Sequence, residues 1–407
     1  MKLLYFGTVC NSESYNKILS GSKVKPSAAP FVFEKALTQG FAENGADVKV
    51  FSFPVIPAFP KSKTLFVKGI KNKLDCGISS SWIPTINIVG LKQFFQKIFS
   101  RRMLKNWLKE NKTEEKAVLT YGIYQPVAKS IVTLCKKYNV PCFAIVADLP
   151  RDMYAVRKVS FIKKILTGFY TRSVLKIQGQ FDGYIYLTEA MKDVVNPSAP
   201  YIVVEGIAKE TDFDLSKASE KSKKKAIMYA GALNERLGIK NLLEAFKSIK
   251  DQNAELWLFG SGDCVSAIND AAAKDSRIKY FGFKSRDEIL EFEAKAHLLI
   301  NIRDPKEDYT QYSFPSKTIE YMLSGTPLLT TKLPGIPKEY FDYVFTAEDL
   351  SSGGIGNKIT EILGLPHEEL ISFGKKAQSF ILDNKNARVQ SGRILKFTEK
   401  ILKTGGN

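Results

Sequence analysis

The chain has 407 residues, a hydrophobic content of 44%, a charged content of 25% and a formal net charge of +18. This length predicts two domains, because single hydrophobic cores stop growing at about 250–300 residues. The composition excludes a disordered or fibrous chain, and no apolar run approaches the roughly 20 residues that span a bilayer. The positive charge attracts polyanions such as nucleic acid, anionic lipid or phosphorylated small molecules, without choosing among them.

Cysteine and histidine usage narrows the possible chemistry. The five cysteines are odd in number and lack metal-ligand spacing, which favours a reducing cytoplasm over a disulfide framework. With only His297 and His367 available, we expect neither a zinc site nor a histidine-centred triad. The first apolar run, Leu3–Phe6, is shorter than a signal-peptide core of about 7–15 residues and is interpreted as a buried first strand.

Strand-like runs alternate with helical patterns through the first half of the chain. The predicted strands are Leu3–Phe6, Val48–Phe51, Ala117–Tyr121, Cys142–Ala147 and Gly183–Leu187, and the helices between them include Phe31–Glu43 and Pro126–Lys137. This alternation predicts a parallel sheet with helices on both faces.

A second series of alternating elements follows. Its predicted strands are Ala226–Tyr229, Glu255–Phe259, Ile278–Phe281, Leu298–Ile302 and Pro327–Thr330, and its helices are near Ile239–Lys250, Val265–Ala273 and Ser285–Lys295. Two such series predict an α/β fold with two Rossmann-like domains. We expect a first domain over residues 1–210, a polar, lysine-rich linker over 211–225, a second domain over 226–386, and a final segment over 387–407 that contains a helix at Ala387–Lys403.

Two basic stretches of the first half also carry aromatic residues. Leu91–Lys112 and Val156–Lys176 both interleave lysines and arginines with aromatic and aliphatic side chains. A basic helix with an aromatic face can lie in a membrane interface. Alternatively, each stretch is an ordinary helix whose apolar stripe packs on its own sheet. Two such stretches in one basic domain favour a role at an anionic membrane surface.

The segment from Tyr312 to Tyr321 contains the most informative spacing. Proline and serine are favoured at helix starts, so a helix is predicted to begin at Ser313–Ser316, with Pro315 in its first turn. A helix start that follows a strand offers backbone N–H groups to phosphate, and Lys317 adds a charge there. Ser316 and Glu320 are four residues apart and share a face, so Glu320 could accept hydrogen bonds from ribose hydroxyls. The alternative is an amphipathic helix with a surface lysine and glutamate.

Two glycine turns precede this segment. Gly231 follows a strand and would let a ligand approach the backbone, and Arg236 in the same loop could neutralise a phosphate. Gly260 begins a Gly-x-Gly turn after the next strand, which could receive a nucleobase or only turn the chain. All these loops follow strands, and ligands of doubly wound sheets gather at strand carboxyl ends, so the loops could converge on one ligand.

The first half offers two candidates at strand ends. Gly7 follows the first strand, and Asp148 follows the strand near Cys142–Ala147. Asp148 is suited to an acceptor hydroxyl, and it could equally cap the next turn.

These residues resemble a known family. Tyr229–Phe246, Leu258–Asp263, Tyr280–Gly282 and Phe314–Pro337 together resemble the second domain of retaining glycosyltransferases of the GT-B fold, within their large fourth sequence family. Shorter matches resemble a bacterial subgroup that makes surface polysaccharide: Asn301–Arg303, Tyr312–Lys317, Glu320–Tyr321 and Ser324–Pro327. The resemblance is specific over residues 226–340 and only architectural over the first half.

The resemblance implies two domains that face across a cleft, with a nucleotide-sugar donor in the second and an acceptor in the first. It implies no catalytic metal and no further cofactor, and a final helix that crosses back to the first domain. We expect a UDP-linked rather than a GDP-linked donor. The acceptor would be lipid-linked or an oligosaccharide, at the inner face of the cell membrane, and a nucleic-acid partner is not expected.

The family's site residues carry over only in part. Glu320 matches the second of two glutamates, with an expected role on the ribose, whereas Tyr312 stands where the first should be. The family's phosphate-binding arginine and lysine positions hold Ala232 and Leu237 here. The proposed substitutes are Arg236 and Lys317, with Arg303 as a third candidate. In the first domain a histidine position holds Ala147, which leaves Asp148 as the candidate.

Three function classes stay open at this point. The first is a retaining hexosyltransferase acting in surface polysaccharide synthesis. The second is a nucleotide-sugar epimerase of the same architecture, although such enzymes usually need acid–base side chains. The third is a non-catalytic, basic membrane-binding relative.

Overall fold

The structure is a computed structural model that describes residues 1–26, 28–149, 171–208 and 220–404. The chain divides into two compact units. Unit 1 contains Met1–Ile207 and Ala387–Asn407, and unit 2 contains Ala208–Asn386. Most of the basic stretch Val156–Lys176 and residues 211–219 of the predicted linker lie outside the described residues.

Unit 1 is built on a mostly parallel sheet. Its described strands are β1 (Lys2–Gly7), β2 (Asp47–Ser52), β3 (Phe66–Val67), β4 (Lys71–Lys73), β5 (Ser79–Trp82), β6 (Thr85–Ile86), β7 (Lys116–Tyr121), β8 (Cys142–Val146), β9 (Gly183–Tyr186) and β10 (Tyr201–Val203). Its helices up to that point are α1 (Ser12–Ser20), α2 (Ala29–Glu43), α3 (Leu91–Glu110), α4 (Gln125–Tyr138) and α5 (Met191–Val195). The eight-stranded sheet has the order β10-β9-β8-β7-β1-β2-β5-β4, with β4 antiparallel to β5, and β3 pairs with β6 separately.

Unit 2 contains a second, parallel sheet. Its strands are β11 (Lys225–Ala232), β12 (Ala254–Ser261), β13 (Ile278–Gly282), β14 (Leu298–Asn301), β15 (Leu328–Thr330) and β16 (Phe345–Thr346). Its helices are α6 (Ile239–Lys247), α7 (Val265–Lys274), α8 (Arg286–Lys295), α9 (Lys317–Leu323), α10 (Ser352–Leu363) and α11 (His367–Asn384). The six strands run in the order β13-β12-β11-β14-β15-β16. Buried apolar side chains, aliphatic and aromatic, fill both faces of this sheet, which explains why its strands appear in the sequence as nearly continuous apolar runs.

The final helix, α12 (Ala387–Thr404), belongs to unit 1. It packs against α2 and β9, and its Ile394 side chain is fully buried in the core of unit 1. Helices α2 and α12 approach closely at Gly40, where a Cβ atom would lie 2.0 Å from the Ala387 carbonyl oxygen. Unit 1 therefore combines residues that precede unit 2 in the sequence with residues that follow it. The predicted α/β class with two Rossmann-like parallel sheets is confirmed.

Candidate functional site

A charged cluster lies at the start of α9 in unit 2. The Lys317 ammonium contacts the Glu320 carboxylate one turn along the helix and lies 3.6 Å from Oε1 of Glu293 on α8. Arg286 Nη2, also on α8, lies 3.3 Å from the other Glu320 oxygen. The Glu293 side chain is fully buried and that of Glu320 is 14% exposed. From the sequence we expect an anion beside Lys317. In the structure, carboxylates of the protein itself lie beside it.

The pKa values of the two carboxyl groups of this cluster are shifted in opposite directions. Burial raises the pKa of Glu293 well above its ordinary value, and the neighbouring Glu320 charge adds to the rise. Burial also opposes ionisation of Glu320, but Lys317 and Arg286 outweigh it and bring the pKa of Glu320 below its ordinary value. Both Glu293 oxygens lack a donor among the described residues, so a proton on Glu293 lets it donate to Glu320. With Glu293 protonated, two cations face one carboxylate, and the surplus positive charge suits a phosphate.

Tyr321 fixes α9 against β11. Its buried hydroxyl accepts from the Ala230 N–H at 2.8 Å and donates to the Ala230 carbonyl at 3.2 Å. Ala230 directly precedes the Gly231 turn at the carboxyl end of β11. The charged cluster is thereby placed next to the strand end where ligands of such sheets bind.

The helix start differs in detail from the sequence prediction. Helix α9 begins at Lys317, with Ser316 as its N-cap residue, so Ser313 and Pro315 lie in the preceding segment. The Ser316 side chain is exposed and makes no capping hydrogen bond, because its backbone is already helical. The Thr318 N–H donates to the Pro315 carbonyl at 2.8 Å, so a tight turn leads into the helix. The backbone of Ser313 lies close to Gly335. A Cβ atom on Gly335 would be 2.7 Å from the Ser313 carbonyl oxygen.

The loops after β11 and β12 are joined by close backbone contact. Gly231 and Gly260 pair in register, and Gly260 has a φ of +121°. A Cβ atom at Gly260 would lie 1.9 Å from the Gly231 carbonyl oxygen, so only glycine fits. The Leu233 N–H donates to the Ser261 carbonyl at 2.9 Å. The two predicted glycine turns are thus one rigid structure.

Arg236 and Arg303 lie near the segment that follows β14. Arg236 Nε is 3.2 Å from Oε2 of Glu307, and its guanidinium lies 4.0 Å from the centre of the Tyr309 ring. Arg303 Nε donates to the Asn301 side chain at 3.3 Å. The Arg236 side chain is 55% exposed, which leaves one face of its guanidinium open to water. The structure therefore joins the loop after β11 to the segment after β14, whereas Lys317 and Glu320 form their own cluster.

The turn after β1 in unit 1 holds an internal carboxylate. Glu34 of α2 is fully buried and accepts hydrogen bonds from the Tyr5 hydroxyl at 2.7 Å and the Thr8 N–H at 2.9 Å, as well as from the Thr8 hydroxyl. A Cβ atom at Gly7 would lie 2.1 Å from Glu34 Oε2. Burial raises the pKa of Glu34 to about 7, despite these donors. A side chain at position 7 would therefore collide with Glu34, which explains the glycine there. The Thr8 N–H already donates to Glu34.

Asp148 lies just beyond the end of β8 and is exposed. Tyr121, at the end of the neighbouring strand β7, has its pKa raised by burial and further by Glu34 and Asp148. Strand β7 lies between β8 and β1. Asp148 and the Gly7 turn therefore lie at the carboxyl ends of strands in the unit 1 sheet, one on each side of β7 and its Tyr121.

Three residues of these sites were missed from the sequence: Glu34, Arg286 and Glu293. Each glutamate lies in the apolar stripe of its helix. Glu34 precedes the buried Leu37 and Phe41, and Glu293 follows the buried Leu290. An acidic residue within the apolar stripe of a helix is the sequence signal that could have identified these two glutamates.

Among the described residues, no group of three or more histidine, cysteine, aspartate or glutamate side chains is placed to hold a metal ion. A search of the same residues for a helix long and apolar enough to cross a membrane also finds none.

Sequence comparison finds one family match, and it lies within unit 2. The family described as Glycosyl transferases group 1 matches residues 224–363. No curated protein sequence matches the chain.

Several solved structures share the fold over nearly the whole chain. Sucrose-phosphate synthase from Thermosynechococcus elongatus has a TM-score of 0.65 at 14% identity, over 99% of this chain and 100% of that one. HepE from Anabaena, in complex with UDP and glucose, has a TM-score of 0.60 at 13% identity, over 98% and 99%. An E. coli structure described as trehalose-6-phosphate bound with UDP-2-fluoro glucose has a TM-score of 0.66 at 9% identity, over 98% and 99%. At these identities the likeness shows the fold, and the family match lies within the unit that holds the charged cluster. The chain has the two-sheet fold of these solved structures, and residues 224–363 of its second unit match the group 1 glycosyltransferase family.

Proposed function

We propose that the chain is a retaining hexosyltransferase that moves a sugar from a UDP-linked donor to a lipid-linked or growing glycan acceptor in surface polysaccharide synthesis. The observation that carries this proposal is the cluster of Lys317, Glu320 and Arg286 at the carboxyl end of β11, inside the residues that match the family. Two of the similar structures hold UDP or a UDP-linked sugar, which supports a UDP-linked donor over a GDP-linked one.

The donor's diphosphate would lie between cations. Lys317 and Arg236 would neutralise its charge, with Arg303 as a third contributor, and the segment Ser313–Ser316 with Pro315 would shape the site. Gly231 presents bare backbone at the end of β11, which a ligand can approach closely, and Gly260 would hold that turn against the loop after β12. Glu320, kept ionised by its neighbours, can accept hydrogen bonds from two ribose hydroxyls.

Charge development explains how these residues would act. As the bond between the sugar and the diphosphate breaks, negative charge grows on the leaving phosphate, and fixed cations stabilise that charge more than they stabilise the bound donor. The leaving phosphate can take the proton of the attacking acceptor hydroxyl, so a histidine base is not required. Asp148 at the edge of the unit 1 sheet would orient that hydroxyl, beside the Gly7 turn. Such an acceptor places the chain in the cytoplasm, on the inner face of the cell membrane.

Donor binding and transfer test this proposal together. A UDP-sugar at about 100 times its dissociation constant should stabilise the chain by about 2.7 kcal/mol, and GDP- and dTDP-linked sugars at the same concentration should do less. Thermal unfolding measures this. Lys317→Ala and Arg236→Ala should each lower the transfer rate by about 10²–10³, because each removes a donor to the developing charge.

The matched control is Lys332→Ala, which removes a lysine paired with an exposed glutamate of the same unit. It should transfer sugar at the wild-type rate. Near-full transfer by folded Lys317→Ala and Arg236→Ala would show that the roles are wrongly assigned.

A further inference from the structure

Exposed apolar side chains concentrate in one part of unit 1. Thirteen large hydrophobic residues are exposed in the described chain, and nine of them fall between residues 55 and 98. These nine are Val55, Phe59, Phe66, Ile70, Ile88, Val89, Leu91, Phe94 and Ile98. Val89 is 74% exposed, Phe66 64% and Phe94 58%. Scattered exposed hydrophobics are ordinary, but a local concentration marks an interaction site.

Hydrogen bonds bring these segments together. Asn87 donates its side-chain N–H groups to the carbonyls of Pro57 and Thr64, and its own carbonyl accepts from the Phe59 N–H. The Lys92 ammonium donates to the Ile56 carbonyl at 2.6 Å. The loop around residues 55–66 is therefore tied to the residues that lead into α3, and the exposed side chains of both segments share a neighbourhood.

Helix α3 divides its residues between core and solvent. Its buried stripe is Gln96, Ser100, Leu104 and Trp107, spaced by three or four residues. The opposite stripe is exposed and changes along the helix: it is apolar at Phe94 and Ile98 and basic from Arg101 onward. Leu104, Trp107 and Leu108 pack in the core, as the alternative of an ordinary helix predicts, whereas Phe94 and Ile98 are exposed.

Positive charge surrounds the exposed apolar residues. Residues 53–109 contain eleven lysines and arginines and a single acidic residue, Asp75. The Asp75 carboxylate lies 2.7 Å from the Lys35 ammonium and is therefore already neutralised. Exposed basic residues close to the apolar ones include Lys61, Lys63, Lys97, Arg101 and Arg102. The surface is both apolar and strongly cationic.

We propose that this surface, formed by the nine exposed hydrophobic residues and the adjoining basic side chains and called here the apolar–basic face, docks unit 1 on an anionic lipid bilayer. The aliphatic and aromatic side chains enter the interface between headgroups and acyl chains, and the lysines and arginines contact the lipid phosphates. The inference deepens the proposed function, on which it rests for the location of the acceptor, by naming the residues that bring the chain to a membrane.

The composition of the apolar–basic face favours lipid over other partners. Six of its nine exposed hydrophobic residues are aliphatic, and single-stranded nucleic acid is held mainly by aromatic stacking. A second copy of the same face would place like charges opposite each other, which opposes self-association. An anionic bilayer has an apolar interior that matches the exposed hydrophobic residues and a negative charge that complements the lysines and arginines.

Vesicle co-sedimentation of the full chain tests this proposal. The wild type should bind phosphatidylcholine vesicles that contain phosphatidylglycerol much more tightly than pure phosphatidylcholine. Phe94→Ser combined with Ile98→Ser should weaken that binding by about tenfold or more, because two inserted side chains are lost. Arg101→Gln combined with Arg102→Gln should weaken it by about 25-fold, or about fivefold for each charge.

Matched controls come from unit 2. Phe283 is 86% exposed there, so Phe283→Ser removes an equally exposed aromatic residue and should bind as the wild type does. Lys274→Gln with Lys279→Gln removes two exposed charges and should also leave binding unchanged. Wild-type binding by the Phe94→Ser, Ile98→Ser variant would overturn the proposal.

Insertion can be read directly from fluorescence, which also covers a variant that folds poorly. Tryptophan emission from Phe94→Trp should shift to the blue and be quenched by brominated lipids when vesicles are added, whereas Phe283→Trp should not respond. An unchanged Phe94→Trp signal would overturn the proposal, as would RNA binding or dimerisation that the same substitutions abolish. Loss of vesicle binding with intact transfer to a soluble acceptor would separate this proposal from the proposed function, which would still stand.

Discussion

Two buried glutamates, Glu34 on α2 in unit 1 and Glu293 on α8 in unit 2, have different effects on their surroundings. Glu34 accepts several hydrogen bonds at the turn after β1, whereas Glu293 lies beside Glu320 and the Lys317 ammonium. Burial raises the pKa of both groups. Glu34 fixes a turn, and the raised pKa of Glu293 favours a protonated carboxyl group beside the cations of its cluster.

Glu34 should make the stability of unit 1 depend on pH. Its pKa is about 7 in the folded chain, against an ordinary value of 4.5, so the folded state keeps a proton that the unfolded state has released. The free energy of unfolding should therefore fall by about 3 kcal/mol as the pH rises from about 4.5 to about 7. Glu34→Gln should remove this fall, which urea unfolding at a series of pH values measures.

Glu43→Gln is the control for this prediction, since Glu43 is exposed at the other end of the same helix. It should keep the wild-type dependence on pH. The same fall in Glu34→Gln would show that another group is responsible.

At the scale of elements, strands with a recognisable apolar run were predicted from sequence, and the strands of two residues were not. The predicted strands near residues 3, 48, 117, 226 and 255 correspond to β1, β2, β7, β11 and β12, each six to eight residues long. Strands β3, β6 and β16 have two residues each, too few to show a period of two. Their pairing depends on neighbours brought in by the tertiary fold, which no local pattern contains.

The candidate site shows the same limit. Lys317, Glu320 and Gly260 follow strands or open a helix, so strand order and helix-start chemistry were sufficient to single them out. Arg286 and Glu293 reach the cluster from α8, and only the packing of α8 against α9 places them there. Contacts between separate helices require the three-dimensional arrangement.

The joined loops after β11 and β12 should depend on Gly260. Gly260→Ala would place a methyl group 1.9 Å from the Gly231 carbonyl oxygen and hold alanine at a φ of +121°. The free energy of unfolding should drop by about 3 kcal/mol or more, since a steric overlap adds to a backbone strain of about 1–3 kcal/mol. Denaturant titration measures the loss.

Gly282→Ala separates the two causes, because Gly282 also has a positive φ, +67°, but open space around its Cβ position. It should lose only the cost of the strained backbone. Equal losses in the two variants would show that the contact with Gly231 does not matter.

At the scale of the whole molecule, unit 1 depends on a helix that follows unit 2 in sequence. Ile394 on α12 is fully buried in the core of unit 1. Ile394→Ala should destabilise unit 1 by about 2–4 kcal/mol through lost burial and the cavity left behind. Hydrogen exchange should show less protection in β1 and β7, with β11 and β12 unchanged, since unit 2 has a core of its own.

Lys396→Ala, at an exposed position of the same helix, should leave protection unchanged in both units. Equal loss of protection in β11 and β12 after Ile394→Ala would contradict the independence of the two cores.

The order of the segments also governs how the protein is made. The 179 residues from Ala208 to Asn386 must be translated after the first part of unit 1 and before α12. At about 5–20 residues per second, the ribosome needs about 10–35 s for this stretch. Throughout that interval the nascent sheet of unit 1 lacks the helix that packs against α2 and β9, whereas unit 2 has all of its strands by the end of the interval. Unit 2 is therefore the first part of the newborn chain able to fold to completion, and chaperones that shield apolar surface have a defined substrate in unit 1 until α12 arrives.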